Sequence, residues 1–203
     1  SNYHFVSSTS KAMGDHFKSN ADLILKFINE KTDPFIIELG CNDGIMLKNI
    51  ADKNIRHLGV EPSSNVADLA RKSNVNVTEE FFNEDLARKI IDEYGKADVI
   101  CGSNVFCHIE DINSVFKGLE VLLKDDGVIF FEDPYLLDIV KLASFDQIYD
   151  EHIYYFSGLS VSKLAERNNF ILADMEHQNV HGGSMRYYLK KQGGFSSSKV
   201  NDY

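Results

Sequence analysis

Tyr149-Asp150-Glu151-His152 sets a phenol, two carboxylates and an imidazole in four consecutive positions. These are proton-handling groups. An imidazole titrates near neutral pH, and a carboxylate beside it can orient the ring or stabilise its charge. His152 is therefore the candidate base and Glu151 its partner. The surrounding stretch, Phe145 to Ser157, has no clear amphipathic period, which suits a site better than a core element. The plain alternative is a polar connector. A second imidazole, His108, follows the apolar run Ala97-Asp98-Val99-Ile100-Cys101. It is placed in the adjoining substrate space, with a structural role equally open.

The other chemical stretch is Phe35-Ile36-Ile37-Glu38-Leu39-Gly40-Cys41-Asn42-Asp43-Gly44. Its apolar part reads as a buried parallel strand, Phe35 to Leu39. Gly40 permits a tight turn where open α/β sheets bind ligands. Gly44 is expected to open a helix, Ile45 to Ala51, and to leave room for a ligand. Asn42 stands where a dinucleotide fingerprint has its middle glycine, which argues against a pyrophosphate on the turn. Glu38 favours a cofactor with a cationic group. Glu61 closes a second strand, His57 to Glu61, about where a carboxylate accepts from both ribose hydroxyls of an adenosine.

The elements that position these groups alternate. A helix begins at Asp15, with Phe17, Ala21, Ile24, Leu25 and Ile28 on one face. A short strand, Val75 to Thr78, leads into Phe81-Phe82. One of these two rings is expected on an adenine face and the other in the core. Helices follow over Glu84–Tyr94, Ile112–Leu123, Leu136–Leu142 and Leu159–Asn168. Strands follow over Ala97–Cys101, Val128–Phe131, Phe170–His177 and Met185–Lys190. Asn104 and Val105, after the fourth strand, are candidate cofactor contacts through backbone or side chain. The glycine turn before Arg186 permits close approach, and Arg186 is a candidate grip for a phosphate or carboxylate. The succession implies an α/β, Rossmann-like domain with a seven-stranded, mostly parallel sheet and one late antiparallel strand.

The bulk numbers exclude several classes. At 203 residues, 43% hydrophobic and 26% charged, the chain can bury one good core. A net charge of −10 makes a nucleic acid an unexpected partner. No apolar run approaches a membrane span and no signal peptide is evident, so a membrane is not expected either. Cys41, Cys101 and Cys107 have neither paired metal spacing nor an even count, and read as reduced cytoplasmic thiols. The opening Ser1-Asn2 leaves room for an earlier native start. The expected layout is a lead-in over 1–14 that contributes to the site, a catalytic domain over 15–191, and a mobile tail over 192–203.

The glycine loop resembles motif I of the S-adenosylmethionine (SAM) methyltransferases. The whole chain resembles a narrower family, the C-methyltransferases of nucleotide-linked deoxysugars. The resemblance runs through Tyr3-x-Phe5-x-Ser7-Ser8, Glu38-x-Gly40-x-Asn42-Asp43-Gly44, Asn104-x-x-x-His108-Ile109, Tyr149–His152 and His181-Gly182-Gly183-Ser184-x-Arg186. It implies SAM as cofactor, with S-adenosylhomocysteine as product and Glu38, Gly40, Asn42, Gly44, Glu61, Phe81, Phe82, Asn104 and Val105 as contacts. It implies His152 as the base, lined by Tyr3, His108, Tyr149 and Glu151. His181, Gly183, Ser184 and Arg186 are implied on the substrate side. The substrate would be a keto-deoxysugar nucleotide, methylated on carbon through an enolate, with no metal required in this domain. Family members usually carry a zinc module and often a further carboxyl-terminal domain; neither is in this sequence. The rival readings are a small-molecule O- or N-methyltransferase and a SAM-binding module inactive alone. A dehydrogenase is a weaker third.

Overall fold

The computed structural model describes residue 7, residues 11–179 and residues 183–193. Tyr3 and His181 lie outside the described residues, as do most of the lead-in and of the tail. Seven strands form one sheet in the order β3-β2-β1-β4-β5-β7-β6. The strands are β1 (Phe35–Leu39), β2 (Arg56–Val60), β3 (Val77–Thr78), β4 (Ala97–Ser103), β5 (Leu123–Pro134), β6 (Phe170–Gln178) and β7 (Ser184–Lys191). β1 pairs parallel with β2 and β4, and β4 pairs parallel with β5. β7 runs antiparallel to both β5 and β6, as expected from a connection too short for a crossover helix.

The helices are α1 (Lys11–Phe27), α2 (Lys48–Ala51), α3 (Ser64–Lys72), α4 (Glu84–Tyr94), α5 (Ile112–Leu122), α6 (Leu136–Leu142) and α7 (Gly158–Arg167). They divide the apolar residues into two layers. Phe17, Ala21 and Ile24 of α1, with Ile50 of α2 and Ala70 of α3, cover the face of Ile36, Val99 and Phe130. Leu86 and Ile90 of α4, Phe116 and Leu119 of α5, and Val161 of α7 cover the face of Ile37, Ile100 and Phe131. The strand period of two sends alternate side chains to each layer. That is why the central strands are mainly apolar and buried over nearly their whole length. Helix starts are set by side chains: Asn83 accepts from Leu86 N, Asp111 from Ser114 N, and Ser157 forms a capping box with Ser160.

Two expectations change. Ile45 to Leu47 form turns rather than helix, and only Lys48–Ala51 is helical. β5 begins at Leu123, because Lys124 to Gly127 stay in the strand; Leu123 pairs with Ala97 ahead of a register shift.

Candidate active site

The strand order reverses between β1 and β4, and the carboxyl ends of β1, β2, β4 and β5 converge there. Gly40 (φ +63°) turns the chain out of β1, and a Cβ on it would collide with the Val105 side chain. Gly40 N–H donates to Val60 O at 2.8 Å, tying the loop to β2. Asn42 follows with φ +49°. Asn is among the few non-glycine types that accept this left-handed conformation, so the loop survives without its middle glycine. The Asn42 side-chain oxygen accepts from Asp43 N (2.9 Å) and Ser7 N (3.2 Å). Gly44 (φ +77°) faces Ala70 and Val75, where a Cβ would lie 3.0 Å from each. Its smallness serves the packing of α3.

Two carboxylates at this turn are held differently. Glu61 accepts from Asn42 N (3.1 Å) and Ser63 N (2.9 Å), which fixes its carboxylate at the β2 end. Glu38 is 4% exposed, and its Oε2 has no hydrogen-bond partner. Burial, then the charges of Asp43 and Glu61, push its carboxyl well above the ordinary range, opposed by the Leu47 N–H. Phe81 stands 76% exposed beyond β3, whereas Phe82 packs on the core of α4 and α5. Asn104 (φ +53°) leaves β4, with its N–H on Glu132 O at 2.7 Å.

The imidazoles are assembled by backbone contacts. Ile153 N and Tyr154 N both donate to Cys107 O, at 2.8 and 3.1 Å. This pins the Tyr149–Tyr154 segment onto the turn that follows β4. His108 and His152 then face each other with ring centroids 4.9 Å apart. His152 Nδ1 lies 2.8 Å from Gln147 O, and His108 Nδ1 lies 2.7 Å from Glu151 O. A carbonyl only accepts, so both Nδ1 atoms carry hydrogen and each neutral ring keeps its lone pair on Nε2. Tyr149 O–H therefore donates to His152 Nε2 at 3.0 Å. Burial, and then any charge on His108, hold the His152 imidazole below its ordinary value. Of the two roles expected of Glu151, orienting the ring falls to Gln147 O and Tyr149 O–H, while its charge still favours the imidazolium.

Beneath this cluster lies Asp133, wholly buried, with neither carboxylate oxygen in hydrogen-bonding geometry. Burial pushes its carboxyl up to about 7, although the Cys107 thiol and the N–H groups of Cys107 and Val105 lie close enough to oppose the shift. The motif reading missed Asp133 and Cys107, because nothing in their spacing pairs them with His152. Their joint proximity to the strand end was the available signal.

Arg186 sits elsewhere. Its guanidinium is 5% exposed and bonds Glu132 Oε1 (Nε, 2.7 Å), Asn20 Oδ1 (Nη2, 2.6 Å) and Glu176 Oε2 (Nη1, 3.2 Å). His16 Nε2 meets Glu132 Oε2 at 2.6 Å. The fork is filled by protein groups, so the expected substrate grip is replaced by a brace between α1 and the β5–β7 pair. Gly183 lies against Asp138 of α6 in a cleft of about 350 Å³ with Leu142, His177 and Asn179. Ser184 is buried opposite Pro134. A larger cleft of about 660 Å³, between α3 and α4, contains neither the glycine loop nor an imidazole.

Comparison with known proteins agrees with this geometry. The family described as "Methyltransferase domain" matches residues 14–173. A curated relative, the C-methyltransferase NovU of Streptomyces niveus, is 32% identical over 183 residues, 90% of this chain and 44% of the relative. A ubiquinone biosynthesis O-methyltransferase of Actinobacillus pleuropneumoniae serotype 7 (strain AP76) is 26% identical over 122 residues, 54% of this chain and 51% of that protein. The chain thus spans about half the length of these relatives or less. Among solved structures, a SAM-dependent methyltransferase from Archaeoglobus fulgidus superposes with TM-score 0.70 at 13% identity, covering 88% of this chain and 94% of the other. Magnesium protoporphyrin IX methyltransferase of Synechocystis PCC 6803 with bound SAM gives 0.63 at 12% identity, over 95% and 87%. The chain belongs to the methyltransferase domain family and has the Rossmann-like fold of the SAM-dependent methyltransferases.

Proposed function

We propose that the chain catalyses SAM-dependent methylation of a carbon atom beside a ketone, in a nucleotide-linked keto-deoxysugar. The observation that carries the carbon chemistry is the His152 ring, with its Nδ1–H committed to Gln147 O and its Nε2 lone pair, which accepts from Tyr149 O–H, available to take a proton once substrate displaces that phenol. The similarity to NovU, itself a C-methyltransferase, points the same way.

The residues at the glycine loop suit a cationic cofactor. Glu38 has a buried oxygen without a partner, and a positive group beside it would oppose the rise that burial gives its carboxyl. Glu61 is held rigidly by Asn42 N and Ser63 N, with lone pairs left for ribose hydroxyls. Phe81 offers an exposed aromatic face, and Val105 closes on Gly40. SAM, when bound, supplies an electrophilic methyl group.

His152 Nε2 removes the proton from the carbon next to the ketone, and the electron pair moves onto the carbonyl oxygen. Tyr149 O–H, displaced from Nε2 by substrate, is the neutral donor for that oxygen. Neutral His108 cannot donate through Nε2, because its hydrogen is on Nδ1. Any charge on His108 lowers the His152 imidazole, which keeps its Nε2 lone pair available but makes it a weaker base. With SAM bound, the enolate carbon would receive the methyl as the sulfonium S–C bond breaks, with S-adenosylhomocysteine as leaving group, and protonated His152 passes its proton to water.

The test uses hydrogen exchange in deuterated water at the carbon beside the ketone, with and without cofactor, on a panel of 4-keto nucleotide sugars. Exchange in the wild-type chain and its loss in His152→Ala, with SAM binding intact, is the expected result. A methyl ether or amine as product, with no exchange, would falsify the carbon reading and favour an O- or N-methyltransferase.

A further inference from the structure

One sulfur and two ring nitrogens meet where the catalytic reading uses only nitrogen. Single ligand atoms of Cys107, His108 and His152 lie within 4.8 Å of one another. A tetrahedral site with Zn–S near 2.3 Å and Zn–N near 2.0 Å has ligand atoms about 3.3–3.6 Å apart, so closure needs side-chain shifts of about 1 Å. One further feature resembles built metal sites. Both imidazoles hand Nδ1–H to a backbone carbonyl, Gln147 O and Glu151 O, which leaves Nε2 for a ligand bond. Burial and the neighbouring Asp133 carboxylate push the Cys107 thiol up, so a metal has to displace its proton against that opposition.

We infer that Cys107, His108 and His152 form a site for a thiophilic divalent metal, zinc foremost, that holds the enzyme inactive while it is bound. Soft sulfur with two imidazoles selects zinc or cobalt over magnesium or calcium. On binding, the Cys107 S–H bond breaks, its proton leaves to solvent, and the sulfur–metal bond forms. His152 Nε2 gives up the Tyr149 hydrogen bond and donates its lone pair to the metal. No lone pair then remains for substrate. The fourth metal position is left to water or substrate oxygen. The inhibitory half of the inference rests on His152 being the base; the binding half does not.

Titration of the metal-stripped chain with Co²⁺ separates the two. The expected result is one cobalt per chain, with an intense thiolate-to-cobalt charge-transfer band in the near ultraviolet. Zinc should abolish the band by displacement, and a chelator should restore the metal-free spectrum. Cys107→Ala should lose the band, and its zinc Kd should rise by more than the ~10–100-fold that losing an outer partner costs. Asp133→Asn should keep the band with zinc bound at least as tightly, because the carboxylate that opposes the thiolate is gone. Zinc should stop wild-type deuterium exchange while leaving the residual exchange of Cys107→Ala unaffected. Absence of the band, or its persistence in Cys107→Ala, overturns the site. Exchange that continues with zinc bound overturns the inhibitory role. A band without any exchange in metal-free protein overturns only the proposed carbon chemistry.

Discussion

Glu132 and Asp133 are adjacent on β5, yet their carboxylates meet opposite surroundings. Glu132 turns toward α1, where His16, Asn20, Ser103 and Arg186 surround it. His16 and Arg186 hold its carboxyl below the ordinary range despite burial. Asp133 turns toward the imidazole cluster and finds no well-placed donor, so burial raises it to about 7. The same contrast separates Glu61, which accepts two backbone N–H groups, from Glu38, with an orphaned oxygen. Satisfied carboxylates hold this fold together. Glu38 and Asp133 instead lie by the glycine loop and by Cys107, where a ligand can complete them.

The contrast can be broken most sharply at the imidazole. His152→Ala should cost on the order of 10²–10⁴ in the rate of deuterium exchange, with the melting temperature little changed. Because His152 is held below the ordinary imidazole value, the acid limb of the wild-type kcat/KM profile should fall below about pH 6.5.

On the braced side the ranking should reverse. Arg186→Met leaves Glu132 buried without its counter-charge and should destabilise the chain by about 3–5 kcal/mol, read by urea denaturation. The neighbouring variant Glu132→Gln should be the milder of the two. A stable, fully folded Arg186→Met chain that had lost only substrate affinity would return Arg186 to the substrate side.

Glu38→Gln should weaken SAM by about 1–3 kcal/mol in calorimetry and leave the ligand-free chain at least as stable. The sign follows from linkage. Glu38 is raised in the folded state, so its contribution to stability is present at low pH and is lost as pH rises through the folded value. Gln does not titrate, and its advantage over wild type should therefore grow with pH.

At Asp133 the effect is read against pH. Its folded value near 7 lies above an unfolded value of about 3.9, so wild type loses stability between these two pH values. The stability difference between Asp133→Asn and wild type should grow across that window. A flat difference would mean that Asp133 has found a partner.

The sheet was legible because its strands are apolar runs and its helices carry period-3.6 faces. α6 was expected at Leu136–Leu142 and is found there, as is α4 at Glu84–Tyr94. The lengthened β5 was not legible, since Lys124-Asp125-Asp126-Gly127 has turn composition; its place at the start of the strand lets Asp125 and Asp126 pair with Lys191 and Lys31. The meeting of His108 with the Tyr149–His152 run was anticipated, but the groups that orient the rings were not. They are backbone carbonyls, which every residue possesses and no motif displays. Arg186 looked like an anion grip because a lone cation in a glycine turn usually is one. Its partners, Asn20 and Glu132, come from distant parts of the chain.

The carbonyl of Gln147 that fixes His152 has a consequence for how this site can drift. Almost any residue offers the same oxygen, so position 147 should tolerate wide replacement in a mutational scan, provided the short 3-10 turn of Phe145–Gln147 persists. Tolerance there would coexist with severe intolerance five residues later. A site can thus depend on a group whose residue type leaves no record in the sequence, and inheritance would preserve the shape of that turn rather than its letters.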